Sequence, residues 1–410
     1  ERARLMHRVG ELLRVHAQEF GRLMTEEMGK PLAGGVGEVT KCAWVCDYYA
    51  DEAESQLAPQ VTKTDAKKSF ACFEPLGVIL GIMPWNYPYW QVFRFAAPTL
   101  MAGNGAVLKH SPNVVGCALS IEKVFAEAGF PKDLFRTLVI GNDQCKAIIE
   151  HPKVRAVSLT GSVRAGKQVA AEAGAVLKKC VLELGGSDAY VVLEDADLDV
   201  AAQACVQGRF VNSGQSCIAA KRFIVVKDVE DAFRRKVMAL IGEQKVGDPA
   251  DKATTVGPMA RIDLRDQLDK QVRASVAQGA QCVLGGQVPS GPGCYYPLTV
   301  LTGVKPGMPA YSQEMFGPVA VFITARDEAD AVRIANDSNF GLGGAVFTKD
   351  LARGERLASE ELQSGAVFVN QQVKSDPRLP FGGIKDSGYG RELGPYGIRE
   401  FVNIKTVSVG

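Results

Sequence analysis

Histidine is scarce: four in 410 residues leave a metal centre short of imidazole. None of the ten cysteines forms the CxxC pair that closes many zinc sites. Only Cys42 and Cys46 lie close together, at the i,i+4 spacing of one helix face. The cysteines are too thinly spread for a disulfide scaffold, so the expectation is reduced thiols in a cytoplasmic protein without a metal. Charge excess is missing as well. Lys and Arg number 47 against 46 Asp and Glu, a net charge of +1, which gives no electrostatic footprint for nucleic acid or an anionic membrane. No apolar run approaches the roughly 20 residues that span a bilayer; the longest are strand-length pieces such as Val78-Ile79-Leu80. An initial methionine is absent, and the chain, opening Glu1-Arg2-Ala3, reads as a segment whose leading piece lies outside it.

What is present is ordinary globular material, 46% hydrophobic and 23% charged, enough for a sizeable core. Helical spacing dominates residues 1–57, interrupted at Gly29-Lys30-Pro31. Residues 69–74 alternate like an edge strand. Beyond Pro75 the pattern becomes α/β, with strands expected over 77–83, 106–109, 138–140 and 156–160 and helices over 114–127, 145–150 and 167–173. A second α/β series follows Glu183, with strands over 189–193, 223–226, 319–323, 344–347 and 366–369. Helices are expected over 229–241, 260–278, 328–336 and 352–357. Alternating strands and helices imply parallel sheets with right-handed crossovers. Residues 401–409 alternate again, as an edge strand does.

Several short stretches carry chemistry. In Asn212-Ser213-Gly214-Gln215-Ser216-Cys217, a cysteine follows a Gly-Gln turn, where backbone N–H groups at the start of an element would lower its pKa; the plain alternative is an inert buried thiol. Glu183 stands between leucines on a strand running into Gly185-Gly186. Burial there would raise its pKa and suit it to general-base work, unless the following N–H groups simply satisfy it. Asn86, in Met83-Pro84-Trp85-Asn86-Tyr87-Pro88, could donate to an oxyanion or close an Asx turn. Thr160-Gly161-Ser162-Val163-Arg164-Ala165-Gly166 joins strand to helix without a full GxGxxG fingerprint, yet a helix start there could face a pyrophosphate. Glu314, in Glu314-Met315-Phe316-Gly317-Pro318, could bond a ribose or lie on the surface before a turn.

Taken in order, PWNYP, LKHSP, TGSVRAG, LELGGSD, NSGQSC, EMFGPV and PFGGIKDSGYGRE cover essentially the whole chain, and together they resemble the aldehyde dehydrogenase superfamily. The stretches MPWNYPYWQVFRF, KKCVLELGGSD and GPMARIDLRDQL are similar to its bacterial NAD(P)-dependent succinate-semialdehyde dehydrogenases of the Sad type. The resemblance implies a Rossmann-type cofactor domain (residues 1–56 and 76–185), an α/β catalytic domain (186–386), a small β oligomerisation element (57–75 and 397–410) and a return segment (387–396). It implies Cys217 as nucleophile, Asn86 as oxyanion donor and Glu183 as base. It implies cofactor contacts at Trp85, Lys109, Ser111, Gly161, Ser162, Glu314 and Phe316, with Ser162 at phosphate. It also implies a homodimer or homotetramer.

Two positions bear on the ligands. Members that prefer NAD often carry Glu three residues after the strand-end lysine; here that residue is Pro112, in Lys109-His110-Ser111-Pro112. A 2′-phosphate would not be repelled, so NAD or NADP is expected, without a choice between them. Arg94 lies eight residues after Asn86 between Phe93 and Phe95. Semialdehyde-specific relatives have Arg at this place, where it can clamp a distal carboxylate bidentately; the alternative is an Arg whose stem packs and whose head reaches a carbonyl or an Asp. The second Arg of some such enzymes is replaced by Val211, leaving Arg378, before Pro380 and Phe381, as the expected second charge. The expected reaction is oxidation of a carboxylate-bearing aldehyde, succinate semialdehyde foremost. A broad-specificity aldehyde dehydrogenase, an acylating enzyme ending on coenzyme A and a non-catalytic fold member are the competing readings.

Overall fold

The computed structural model describes residues 1–410. Its centre is a six-stranded sheet in the order Gly388–Tyr389, Lys179–Glu183, Val154–Thr160, Val78–Met83, Gly105–His110, Phe135–Thr137, parallel except for the short Gly388–Tyr389 edge. Val78–Met83 is apolar and central because both its faces are covered. From it the chain builds outward first to one side and then, through Val154–Thr160, to the other. That reversal is a switch point, where the carboxyl ends of neighbouring strands splay their loops apart and leave a crevice. The loops on its two sides are Pro84-Trp85-Asn86 and Gly161-Ser162.

A seven-stranded sheet forms the second unit, in the order Gln281–Leu284, Thr299–Thr302, Val319–Ala325, Ala220–Val226, Asp188–Val192, Gly343–Phe347, Ala366–Val369. A separate three-stranded sheet pairs Lys68–Pro75 with Gln60–Val61 and with Val402–Val409. No helix is long and apolar enough to cross a membrane.

One helix that sets the site is buried on all sides. Every residue of Trp90–Met101 is buried, and the helix lies close on the central strand because Gly81 has no side chain: a Cβ there would come within 2.5 Å of the Phe95 ring. Its first turn is fastened by Glu38, whose Oε1 accepts from the Tyr89 and Trp90 amides, each at 2.9 Å. The other Glu38 oxygen is ion-paired with buried Lys30.

Several expectations shift. The first helical region is three helices, Arg2–Val15, Ala17–Met28 and Leu32–Gln56. The strand expected over 138–140 is instead Phe135–Thr137, because pairing with Gly105–His110 selects the earlier register. Helix Leu198–Phe210 escapes the sequence pattern because its exposed face is narrow and interrupted by an apolar residue: Asp199, Gln203 and Gln207 face out together with Val200.

Candidate active site

The nucleophile loop is held from behind by two buried cations. Arg209, at the end of helix Leu198–Phe210, donates through Nη2 to the carbonyls of Gly214 at 2.7 Å, Gly317 at 2.8 Å and Met315 at 3.3 Å. Lys221 donates to the Ser216 carbonyl at 2.7 Å and to that of Cys217, and lies 3.3 Å from Glu314 Oε1. Both therefore tie the Asn212–Cys217 turn to the Glu314–Gly317 turn. Asn212 and Ser213 adopt left-handed φ values of 53° and 56°, a conformation that costs about 1–2 kcal/mol per non-glycine residue. Asn212 Nδ2 compensates by donating to the Asn86 carbonyl at 2.8 Å and to that of Gln215 at 3.0 Å.

Cys217 is half-buried at the junction of two cavities. One, of about 480 Å³, opens at the sheet switch point and is lined by Trp85, Asn86, Gly161, Ser162, Glu314 and Phe316. The other, of about 220 Å³, is lined by Lys41, Trp90, Arg94, Val211, Ser375 and Phe381. Only Cys217 and Gln91 belong to both walls. Gln91 Nε2 donates to Asn86 Oδ1 at 3.1 Å, which fixes the amide so that Nδ2 reaches the Gln215 carbonyl at 3.1 Å. The second hydrogen on that nitrogen is left for a ligand in the larger cavity.

The expected activation of the thiol by an element's start is corrected here. Cys217 sits in an irregular turn between the short helix Val211–Gly214 and strand Ala220–Val226, so no helix dipole acts on it. Burial pushes its pKa up to about 12, against opposing pulls from Lys221 and Arg94.

Glu183 ends its strand 2% exposed, with neither carboxylate oxygen hydrogen-bonded. Burial raises its pKa well above the usual carboxylate range; Arg94 pulls it down, and Glu392 pushes it further up. Its carboxylate lies behind the cavity walls, against Gly382, where a Cβ would sit 2.7 Å from Oε1. Leu184 and Gly185 line the larger cavity; Glu183 itself does not. The sequence expectation of three groups already gathered in one pocket thus holds for Cys217 and Asn86, with Glu183 one layer away.

Arg94 lines the smaller cavity and stacks over Phe381 at 4.6 Å. It is no free clamp: Nε is ion-paired with buried Glu392, and Nη2 reaches Thr160 Oγ1 at 3.4 Å. Arg378 departs from expectation altogether. It is exposed, chelated by Asp376 through Nε at 2.9 Å and Nη2 at 2.7 Å, and stacked on Trp44 at 5.4 Å. An acid two residues away captures the guanidinium more cheaply than a cavity could. Lys41, Gln91 and Glu392 were invisible as site residues, because each acquires its neighbours only from distant segments.

For a dinucleotide the donor set fits. Ser162 caps helix Val163–Ala175, accepting from the Ala165 amide at 3.3 Å, and this helix start forms part of the larger cavity's wall. Trp85 and Phe316 meet edge-on at 5.8 Å, an apolar pair for a flat ring. Glu314 Oε1 accepts from the Gly186 amide at 3.1 Å. A further cavity of about 160 Å³, lined by Pro112, Val115, Leu138 and Ile140, adjoins the strand end and is apolar enough for a base. Lys109 and Ser111 are buried beside it, Lys109 on Asn142 and Ser111 on Asn113 at 2.7 Å. Neither is part of the lining of these two cavities.

Known proteins agree with this architecture. A probable succinate-semialdehyde dehydrogenase [NADP(+)] from Synechocystis is 49% identical over 407 residues, covering 99% of this chain and 89% of that one. Succinate semialdehyde dehydrogenase [NAD(P)+] Sad of Escherichia coli is 48% identical, covering 99% of this chain and 88% of that one. The crystal structure of succinic semialdehyde dehydrogenase from Streptococcus pyogenes with NADP+ superposes with a TM-score of 0.98 at 38% identity, covering all of this chain and 90% of that one. The sequence profile of the aldehyde dehydrogenase family runs through residues 1–407. With a cysteine between two cavities and a dinucleotide crevice at the switch point, the chain belongs to the aldehyde dehydrogenase family.

Proposed function

We propose that this enzyme oxidises a carboxylate-bearing aldehyde, succinate semialdehyde foremost, to the acid with NADP or NAD. The observation that carries the reading is the sulfur of Cys217 standing on the common wall of a cofactor-sized cleft and a smaller cavity with cationic side chains. The relatives named above, which act on this semialdehyde by name, support it.

In this reading the Cys217 sulfur attacks the aldehyde carbon and its proton passes to a water in the open cavity as the S–C bond forms, since the free thiol is held protonated. Asn86 Nδ2 donates to the oxygen that gains charge. The nicotinamide, when bound, supplies the hydride acceptor. Glu183 then turns toward the Leu184–Gly185 wall and takes a proton from the water that attacks the Cys217 thioester. The C–S bond breaks, the acid leaves and the thiol is restored. Lys109, Ser111, Gly161, Ser162, Glu314, Trp85 and Phe316 would hold the dinucleotide. The absence of an acid at Pro112 leaves room for a 2′-phosphate. The strand edges at Gln60–Val61 and Val402–Val409 have unpaired backbone that a second copy would cover.

The test is kinetic. Absorbance of reduced cofactor should give a kcat/KM for succinate semialdehyde at least about tenfold above that for butanal, a difference of about 1.4 kcal/mol, and turnover with NADP no slower than with NAD. Equal values for the two aldehydes would remove the carboxylate from the reading.

Arg94 has its own expected outcome. Arg94→Met leaves Glu392 buried without its partner, at a cost of about 3–5 kcal/mol, to be seen as a lower denaturation midpoint. It also removes the cation that pulls the Glu183 pKa down. The base then ionises only at higher pH, so the acidic limb of the kcat–pH profile should move alkaline. A limb that stays in place would separate Arg94 from Glu183.

A further inference from the structure

The cavity on the far side of Cys217 holds one buried-side cation whose charge nothing matches. Arg94 is balanced by Glu392. Lys41, from the middle of helix Leu32–Gln56, has its ammonium on Ser375 Oγ at 2.8 Å and over the Trp90 ring at 4.2 Å. Both partners are neutral. The acids near it are engaged elsewhere, Glu38 by Lys30 and the helix amides, and Asp376 by Arg378. Lys41 is only partly exposed; a cation partly withdrawn from water without a counter-ion is costly, and an anion arriving with the substrate would relieve that cost.

We propose that Lys41, seated by Ser375 and Trp90, is the cation that binds the distal carboxylate of the aldehyde substrate. This rests on the reading that the substrate carries such a carboxylate. It gives the site the second charge that Arg378 does not supply. Its geometry suits a small anion: an ammonium offers three donors, and Ser375 takes only one of them. The Trp90 ring closes one side, and the Arg94 Nη1, which forms no protein hydrogen bond, shares the cavity wall. The same burial, with Arg94 adding to it, brings the Lys41 pKa down to about 8.

The experiment measures kcat/KM for succinate semialdehyde divided by that for butanal, which keeps the four-carbon chain and lacks the carboxylate. In Lys41→Met and Lys41→Gln this ratio should fall about 10- to 100-fold, the range for a charge-assisted hydrogen bond, and through KM more than kcat. A ratio that is high in the unmodified enzyme and survives both substitutions overturns the assignment of Lys41 alone. A ratio near one in the unmodified enzyme overturns the carboxylate reading together with it.

The unmodified enzyme provides a measurement that needs no variant to fold. Above pH about 8 the ammonium is lost, so KM for succinate semialdehyde should rise while KM for butanal does not. The charged and titratable groups facing Lys41 are Arg94 from the neighbouring helix, Asp376 and Lys374 from the Ser375 loop, and Glu38 and Cys42 on its own helix. Butanal meets all of them too and serves as the control. Parallel profiles for the two aldehydes would overturn the proposal.

Discussion

Replacing Cys217 with alanine should lower kcat/KM for every aldehyde by at least about 10⁴-fold, the scale on which covalent enzymes lose rate with their nucleophile. Binding of the reduced dinucleotide, followed by its fluorescence, should survive, because the larger cavity keeps its other walls. The size of the effect follows from geometry. Of the residues shared by the two cavities, Gln91 has no nucleophilic atom, so no neighbour can substitute for the sulfur. The loop around it is built independently of the side chain. Arg209 and Lys221 bind backbone carbonyls, and Asn212 supports the turn through its own amide. The alanine variant should therefore fold normally and fail only in chemistry. Residual turnover above about 1% would mean that the aldehyde is oxidised without passing through this thiol.

Glu183→Gln is expected to separate two halves of the reaction. Turnover should fall by about 10²- to 10⁴-fold, the contribution of a positioned general base. A first burst of reduced cofactor, close to one equivalent per active subunit, should remain. Glutamine has the same shape and carries no charge, and burial already favours the uncharged form of the carboxyl. The variant accordingly mimics the resting state and loses only the ionised form. In the unmodified enzyme the same raised pKa places the acidic limb of kcat above the usual carboxylate range, since activity requires Glu183 to lose its proton. A variant without any burst would move Glu183 into the earlier step, as acceptor of the thiol proton. A variant with full steady-state rate would remove it from catalysis.

These two expectations also bear on the acylating alternative. An enzyme that passes its acyl group to coenzyme A needs no base for water. Glu183 is buried beside Gly382 without hydrogen-bond partners, and its only favourable partners are the charges of Arg94 and Arg391. An acid kept at such an unfavourable position is more economically explained by use in hydrolysis.

Motif order along the chain was enough to indicate the family, the α/β class, and Cys217, Asn86 and Glu183 as candidates. Such signals are local: a turn, a strand end and a helix start are each written in a few adjacent residues. The edge strand at residues 401–409 was legible for the same reason, and so was the helix expected over 167–173, although it starts earlier, capped by Ser162. What the tertiary structure alone decided was how charges and protons are shared. Arg94 looks like a clamp in sequence, yet Glu392 meets it across the fold; Arg378 looks available, yet Asp376 holds it at the surface. Lys41 has no motif and gains its meaning from Ser375 and Trp90. Cys217 was expected to be activated by backbone dipoles and is instead a desolvated thiol. Helix Leu198–Phe210 left a weak period because its exposed face is narrow and carries Val200 beside Asp199, Gln203 and Gln207. Desolvation and ion pairing depend on which distant segments close over a side chain, and local residue spacing carries no record of that.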